Sequence, residues 1–239
     1  MDPFLRTRWL IGTDAVDRLQ NKRVIVFGVG GVGGYCIEAL ARTGVGRLDI
    51  VDYDRVDVTN INRQIIATTE TVGALKVDVM KARIASIVSE TEVRTYPMMF
   101  NEATADEIDF SDYDYVVDAV DQVTAKLLII EKAQAAGVSV LSAMGAGNKL
   151  HPEALELAML SETQVCPLAR VMRREVKKRG LGDFPVVYSK EAPTKVEGMD
   201  ARSPASISFV PSAAGLIAAS KVIRDLVQSE KEERLVREL

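Results

Sequence analysis

The sequence predicts an α/β protein: a doubly wound, mostly parallel sheet with helices on both faces and a C-terminal elaboration. Three observations predict it. Strand-like apolar runs alternate with helical periods from Arg23 to Met144, the signature of repeated βαβ units. Hydrophobic residues make up 47% of the chain but aromatics only 5%, the balance expected of parallel strands buried under helices. A glycine-rich turn, Gly28-Val29-Gly30-Gly31-Val32-Gly33-Gly34, falls between the first strand and the helix after it, which makes the core Rossmann-like.

The elements follow in order. Residues 23–27 read as a strand, 32–43 as a helix and 48–52 as a second strand. Residues 74–90 carry Val77, Met80, Ile84, Ile87 and Val88 at helical spacing. Residues 92–97 and 113–120 read as strands, 124–136 as a helix closed by Gly137, and 138–144 as a further strand. Beyond Gly147 the rhythm changes. Residues 155–160 and 185–189 are strand-like, and 168–179 form a basic helix. Residues 190–204 mix turn and charged residues without a period, which predicts a mobile loop. Residues 207–210 predict a strand and 213–227 a closing helix, followed by a charged, solvated tail at 229–239. The 239 residues thus make one domain, 1–239, with a core over 1–146 and an elaboration over 147–239 holding the basic helix, mobile loop and closing helix.

Composition narrows the function classes. A net charge of −4 gives no overall polycation, so contact with a nucleic acid must come from a local patch. Cys36 and Cys166 belong to no Cys-x-x-Cys pair, which excludes a four-cysteine zinc site and a disulfide framework. The start of the chain lacks the apolar core of a signal peptide. The most apolar run, 209–220, is interrupted by Pro211 and too short to span a bilayer. No membrane contact and a cytoplasmic location are expected.

The glycine turn lets backbone N–H groups approach phosphate oxygens, and the helix start behind it adds partial positive charge. Gly28, Gly30, Gly31, Val32 and Gly33 are the candidate cradle. Asp52, at the end of the second strand, is the carboxylate that accepts from ribose hydroxyls. To this point NAD and ATP are served equally well. Asp54, Asn60, Asn62, Arg63, Gln64 and Lys76 then follow. A pyrophosphate held by a helix start needs no such cluster, whereas a triphosphate calls for Arg, Lys and often a carboxylate-held Mg²⁺. Asp121 stands beyond the 113–120 strand, where a hard cation between phosphates would find it. Asp118 either joins that site or caps the following helix. An NAD-binding scaffold module is the reading in which Asn62, Arg63 and Lys76 have no task.

Together Gly28-x-Gly30-Gly31-Val32-Gly33, Asp52-x-Asp54, Thr59-Asn60-Ile61-Asn62-Arg63-Gln64, Lys76 and Asp121 resemble the adenylation domain of ubiquitin-activating-type enzymes, the ThiF/MoeB-like superfamily. The match runs over residues 6–146. Within that superfamily the chain is most similar to the tRNA threonylcarbamoyladenosine dehydratases, on its short length, Met144-Gly145-Ala146-Gly147-Asn148 and Cys166-Pro167-Leu168-Ala169. The resemblance implies a single adenylating domain that uses ATP and Mg²⁺ to adenylate the threonyl carboxylate of the modified nucleoside in tRNA. Ring closure with net loss of water would follow. It puts Asp54 and Asp121 near the metal, Asn62, Arg63 and Lys76 on the phosphates, and Asp52 on the ribose. It also implies a homodimer in which an N-terminal arginine reaches the partner's ATP; Arg6 is the candidate, with Arg8 two residues away.

The alternative within the superfamily is adenylation of the C-terminal carboxylate of a ubiquitin-like or sulfur-carrier protein. Relatives of that kind hold a structural zinc through paired Cys-x-x-Cys motifs, which are missing here, and a sulfur-transfer partner stays open. Cys166 reads as a buried helix-start residue, and His151 takes no catalytic role. The basic helix points to a polyanion. Arg170, Arg173, Arg174, Lys177, Lys178 and Arg179 stand against one acid, Glu175, in an acidic chain, as a tRNA backbone would require. Lys190 and Lys195 extend that surface.

Overall fold

A computed structural model describes residues 2–194 and 204–237, with side chains as far as Gln228. Among these residues one sheet holds seven strands: β1 (Arg23–Phe27), β2 (Arg47–Val51), β3 (Glu92–Tyr96), β4 (Tyr115–Asp118), β5 (Ser139–Ala143), β6 (Leu155–Met159) and β7 (Pro185–Ser189). Their order is β3-β2-β1-β4-β5-β7-β6, every pairing parallel except that of β6 with β7. The helices are α1 (Leu5–Ile11), α2 (Thr13–Leu19), α3 (Gly33–Thr43), α4 (Lys76–Ile87), α5 (Val123–Ala135), α6 (Pro167–Arg179) and α7 (Phe209–Arg237).

Both faces of the sheet are covered, and the period-2 alternation of β1 shows how. Val24 and Val26 point to one face, where they pack with Leu40 of α3, Met80 of α4 and Val222 of α7. Ile25 and Phe27 point to the other, with Ile129 of α5 and Met172 of α6. A strand buried on both sides carries no polar stripe, which is why Val24-Ile25-Val26-Phe27 reads as a continuous apolar run. From β1 the chain steps outward to β2 and β3, then crosses back to β4. The connections that leave the carboxyl ends of the paired strands β1 and β4 therefore run to opposite faces of the sheet, to α3 on one and α5 on the other, and open α/β sheets bind ligands at such a topological switch point.

The predicted elements form within a few residues of their expected bounds, and three features differ. The predicted strand at 207–210 is absent: α7 begins at Phe209, with Val210 buried and Pro211 in the first turn, where a missing N–H leaves no carbonyl unpaired. Of the residues that suggested a strand, Val210 is buried in the first turn of the helix while Phe209 stays 43% exposed. The N-terminal helices α1 and α2 were not foreseen. Each has only seven residues, and Phe4 and Val16 seal a small cluster against Val88. The third correction concerns Asp118, which joins no candidate metal site and caps no helix. It is fully buried, and its Oδ2 accepts from Lys126 Nζ at 2.8 Å and from Ser142 Oγ at 2.5 Å. Gln122, not Asp118, is the N-cap of α5. The predicted mobile loop is described only to Thr194 and from Pro204; its remainder lies outside the described residues, as do the side chains of the charged tail.

The Asp118–Lys126 pair gives a stability prediction. Removing one member of a buried ion pair leaves the other charge unmatched, which costs about 3–5 kcal/mol. Lys126→Met is expected to lower the urea-unfolding free energy by about that amount, and Asp118→Asn placed on the same chain to recover part of it. A Lys126→Met midpoint equal to wild type would show that the pair carries no such weight.

Candidate active site

The glycine turn caps β1 and enters α3 across the switch point. Gly28 adopts φ +94°, and a Cβ there would lie 2.8 Å from the Ala119 carbonyl oxygen at the end of β4. A Cβ on Gly33 would lie 1.8 Å from the Gly28 carbonyl oxygen. Both positions therefore demand glycine, one for its backbone and both for close approach. The amides of Gly30, Gly31, Val32 and Gly33 have no protein acceptor among the described residues. A row of open N–H groups at the start of an 11-residue helix attracts an anion.

Asp52 stands beside this turn, half-buried. Its Oδ2 accepts from the Val29 amide at 2.7 Å and its Oδ1 from the Asp54 amide at 2.8 Å. Burial pushes its carboxyl above the usual range, against the pull of the Lys76 charge and of the two amides. Lys76 is the first residue of α4 and buried, with Nζ 2.7 Å from Asp54 Oδ2. The Arg55–Leu75 bridge and the Lys76 amide, which donates to the Asp54 carbonyl at 3.0 Å, hold it there. Tyr53 brings Asp121 into the same neighbourhood. Burial and the charges of Asp54, Asp121 and Asp52 together raise its phenol. Sequence reasoning passed over Tyr53 and Gln122, whose spacing matches no periodic pattern.

Arg63 reaches the turn from the other side, its Cγ 3.4 Å from where a Gly31 Cβ would be. Its Nη1 donates to the Thr59 carbonyl and to Asn62 Oδ1, both at 2.9 Å. Nε and Nη2 have no protein partner among the described residues. Asn60 is buried, and its Oδ1 accepts the Asp57 amide at 3.1 Å to close the turn Val58–Asn60. Gln64 is buried too, with its Oε1 unpartnered. Asn62 is exposed and donates to the Ser206 carbonyl at 2.9 Å. Gly28–Gly33, Asp52, Asp54, Arg63, Lys76 and Asp121 thus border one crevice, while Asn60 props its wall.

Arg6 lies apart, at the far end of α3 from the glycine turn. It lines a groove of about 530 Å³ with Leu10 of α1, Thr43 of α3 and Leu216 of α7. Arg8 is committed within the chain to Asp2 at 2.6 Å and Asp17 at 2.5 Å, whereas Arg6 has no partner among the described residues. On α6, Arg173 donates to the Thr163 carbonyl at 2.7 Å and to its hydroxyl, Arg174 pairs with Glu175 and Arg179 with Glu131. Arg170, Lys177 and Lys178 are exposed and have no partner among the described residues. Lys190 pairs with Glu156 at 2.6 Å, and Lys195 lies outside the described residues. Cys166 is buried as the N-cap of α6, and burial pushes the Cys36 thiol up to about 12. Among the described residues no three His, Cys, Asp or Glu side chains gather as metal ligands, and no helix is long and apolar enough to cross a membrane.

Known proteins match this architecture along nearly its whole length. The tRNA threonylcarbamoyladenosine dehydratase of Bacillus subtilis is 40% identical over 242 residues, covering 94% of each chain. Crystal structures of the E. coli tRNA N6-threonylcarbamoyladenosine dehydratase with AMP and with ATP each superimpose with a TM-score of 0.89 at 30% identity. Each covers 96% of this chain and 95% of the other. The ThiF family model matches residues 5–238. The chain belongs to the ThiF family.

Proposed function

We infer that this chain is an ATP-dependent tRNA-modifying enzyme that adenylates the threonyl carboxylate of threonylcarbamoyladenosine in tRNA and drives its cyclisation. One observation carries the reading: the unpartnered amides of Gly30 to Gly33 open onto the same crevice as Asp52, Asp54, Arg63, Lys76 and Asp121. The likeness to named dehydratases over 94% of the chain supports the substrate.

The chemistry follows from charge placement. A carboxylate oxygen of the threonyl group attacks the α-phosphorus of ATP, the bond to the β-phosphate breaks and pyrophosphate leaves. An atom of the same modification then displaces AMP from the acyl-adenylate, and the ring closes with net loss of water. The glycine amides receive phosphate oxygens, and Asp52 accepts from the ribose. Arg63 Nε and Nη2 and the Lys76 ammonium stabilise negative charge as it grows on the phosphates. When phosphate approaches, Lys76 exchanges part of its contact with Asp54 for it.

Mg²⁺ fits the donor set. Asp54 and Asp121 would hold it through carboxylate oxygens, the donors it prefers, and it would offset charge on the triphosphate. We further assign a homodimer. Trp9 is 74% and Leu10 85% exposed beside the Arg6 groove, an apolar surface suited to a second copy and able to carry Arg6 to the partner's nucleotide. Arg170, Lys177 and Lys178, with Arg173 and Arg174 beside them, would face the tRNA backbone. The reaction then takes place where tRNA is, in the cytoplasm.

Purified protein is expected to exchange labelled pyrophosphate into ATP only with threonylcarbamoyl-modified tRNA, and to convert that nucleoside to a product lighter by one water. No exchange together with an unchanged nucleoside mass would sink the reading. Asp121→Ala should lower the exchange rate by about 100-fold or more while leaving the circular dichroism spectrum unchanged, since Asp121 is exposed beyond the end of β4. Full activity in that variant would remove Asp121 from the reaction. Lys177→Glu with Lys178→Glu should weaken tRNA binding and lessen the log–log salt slope by about two, with the KM for ATP unmoved. Equal loss of ATP and tRNA binding would make α6 a structural helix only.

A further inference from the structure

The hydrogen bonds around Arg63 continue past Asn62 into a distant part of the chain. Asn62 Oδ1 accepts from Arg63 Nη1 at 2.9 Å, and its Nδ2 donates to the Ser206 carbonyl at 2.9 Å. Ser206 belongs to a strap, residues 204–206, that leads into α7. The strap's second hold is Asn148, just beyond the end of β5. The Asn148 amide donates to the Ala205 carbonyl at 2.7 Å, and its Oδ1 accepts the Ala205 amide at 2.7 Å. Its own carbonyl accepts the Thr194 amide at 2.7 Å, so Asn148 grips the chain on both sides of residues 195–203. It does this at φ +59°, a left-handed conformation that asparagine adopts more readily than most residues.

Both polar groups of the Asn62 side chain are therefore engaged by protein. That arrangement suits a residue that aims another better than one that binds phosphate itself. Arg63 is held twice through a single nitrogen, which fixes the plane of its guanidinium and leaves Nε and Nη2 as a free fork. Small errors in the placing of such a fork are costly: a shift of about 1 Å can cost about 100-fold in rate.

We propose that Asn62 and Asn148 are positioning residues that act through the 204–206 strap to aim Arg63 at the nucleotide phosphates, with neither asparagine touching ATP. The proposal rests on the adenylation reading above. Its test is a double-mutant cycle on the full chain, read by tRNA-dependent ATP–pyrophosphate exchange. Asn62→Ala and Asn148→Gly should each lower kcat about tenfold with the KM for ATP within about twofold. The double variant should also lose about tenfold, because one break already frees the strap from Arg63. Asn148→Asp keeps the acceptor oxygen and tolerates the left-handed backbone, and should retain wild-type exchange. A loss of about 100-fold in the double variant, a loss confined to KM, or no loss in Asn148→Gly would overturn the proposal. Wild-type protein that exchanges no pyrophosphate would instead overturn the adenylation reading. Melting midpoints accompany each variant, and if Asn148→Gly does not fold, Ala205→Pro, which removes the strap's donor, takes its place in the cycle.

Discussion

A buried ion pair fixes the crevice. Lys126 and Asp118 have no solvent exposure, yet every polar atom of the pair is answered. The ammonium donates to Asp118 Oδ2, to Ser142 Oγ at 3.3 Å and to the Ala143 carbonyl at 2.7 Å, while Asp118 Oδ1 takes the Val120 amide at 3.2 Å. Taking two charges out of water is expensive, and the expense is offset only where geometry and hydrogen bonds are this complete. The knot sits where α5 crosses the carboxyl ends of β4 and β5. It sets the path of residues 118–120, and with it the Ala119 carbonyl against which Gly28 is pressed. One interaction under the floor thus fixes both the closeness of the glycine turn to β4 and the point from which Asp121 leaves the sheet.

Above that floor the work is divided between neutral and charged groups. The turn offers amides, which attract phosphate without fixing a counter-ion in its absence. Lys76 differs, because a buried ammonium needs a partner at all times, and Asp54 provides one. The Asp54 side chain is 46% exposed, so its carboxylate can be resolvated or turned to a cation when phosphate draws the ammonium away. A fully buried partner would hold Lys76 too firmly to share. The contrast with the sealed Lys126–Asp118 pair is one of exposure: the same two residue types build a scaffold in one place and an exchangeable contact in the other.

The sheet and its main helices were legible because their signals are local. The strands buried on both faces read as short continuous apolar runs, the helices between them keep a period of 3.6, and the Gly28–Gly34 turn announces itself by composition. What escaped depended on contacts distant in sequence or on very short elements. Asp118 looked like a strand-end carboxylate open to metal, and only the packing of α5 turns Lys126, eight residues on, beneath it. Ser206 meets Asn62 across 144 residues, a pairing no window can see. Residues 207–210 have strand composition but sit just ahead of a proline suited to a helix start, and the long-range burial of Val210 decides between the two. In the site, Asp52, Asp54 and Lys76 are linked in series by hydrogen bonds from neighbouring stretches, whereas the bond from Asn62 to Ser206 depends on chain far away.

The acidic chain and its basic helix are reconciled by counting which charges are already spent. Arg174 and Arg179 pair with acids, so α6 presents less free charge than its composition suggests, whereas Arg173 bonds to the neutral Thr163 and keeps its charge. Among the described residues Arg170, Lys177 and Lys178 have no partner, and they stand at two points along the helix. Arg170 lies in the first half, whose neighbour Leu168 approaches the Gly145 turn beyond β5. Lys177 and Lys178 lie in the last turn, where the negative end of the helix dipole favours cations. At about 1.5 Å per residue, Arg170 and Lys177 stand roughly 10 Å apart. Cations at two such points would suit a ligand with repeated charges, such as a nucleic-acid backbone. An overall negative charge opposes random capture of polyanions, so a polyanion would be retained on α6 only where other contacts hold it as well.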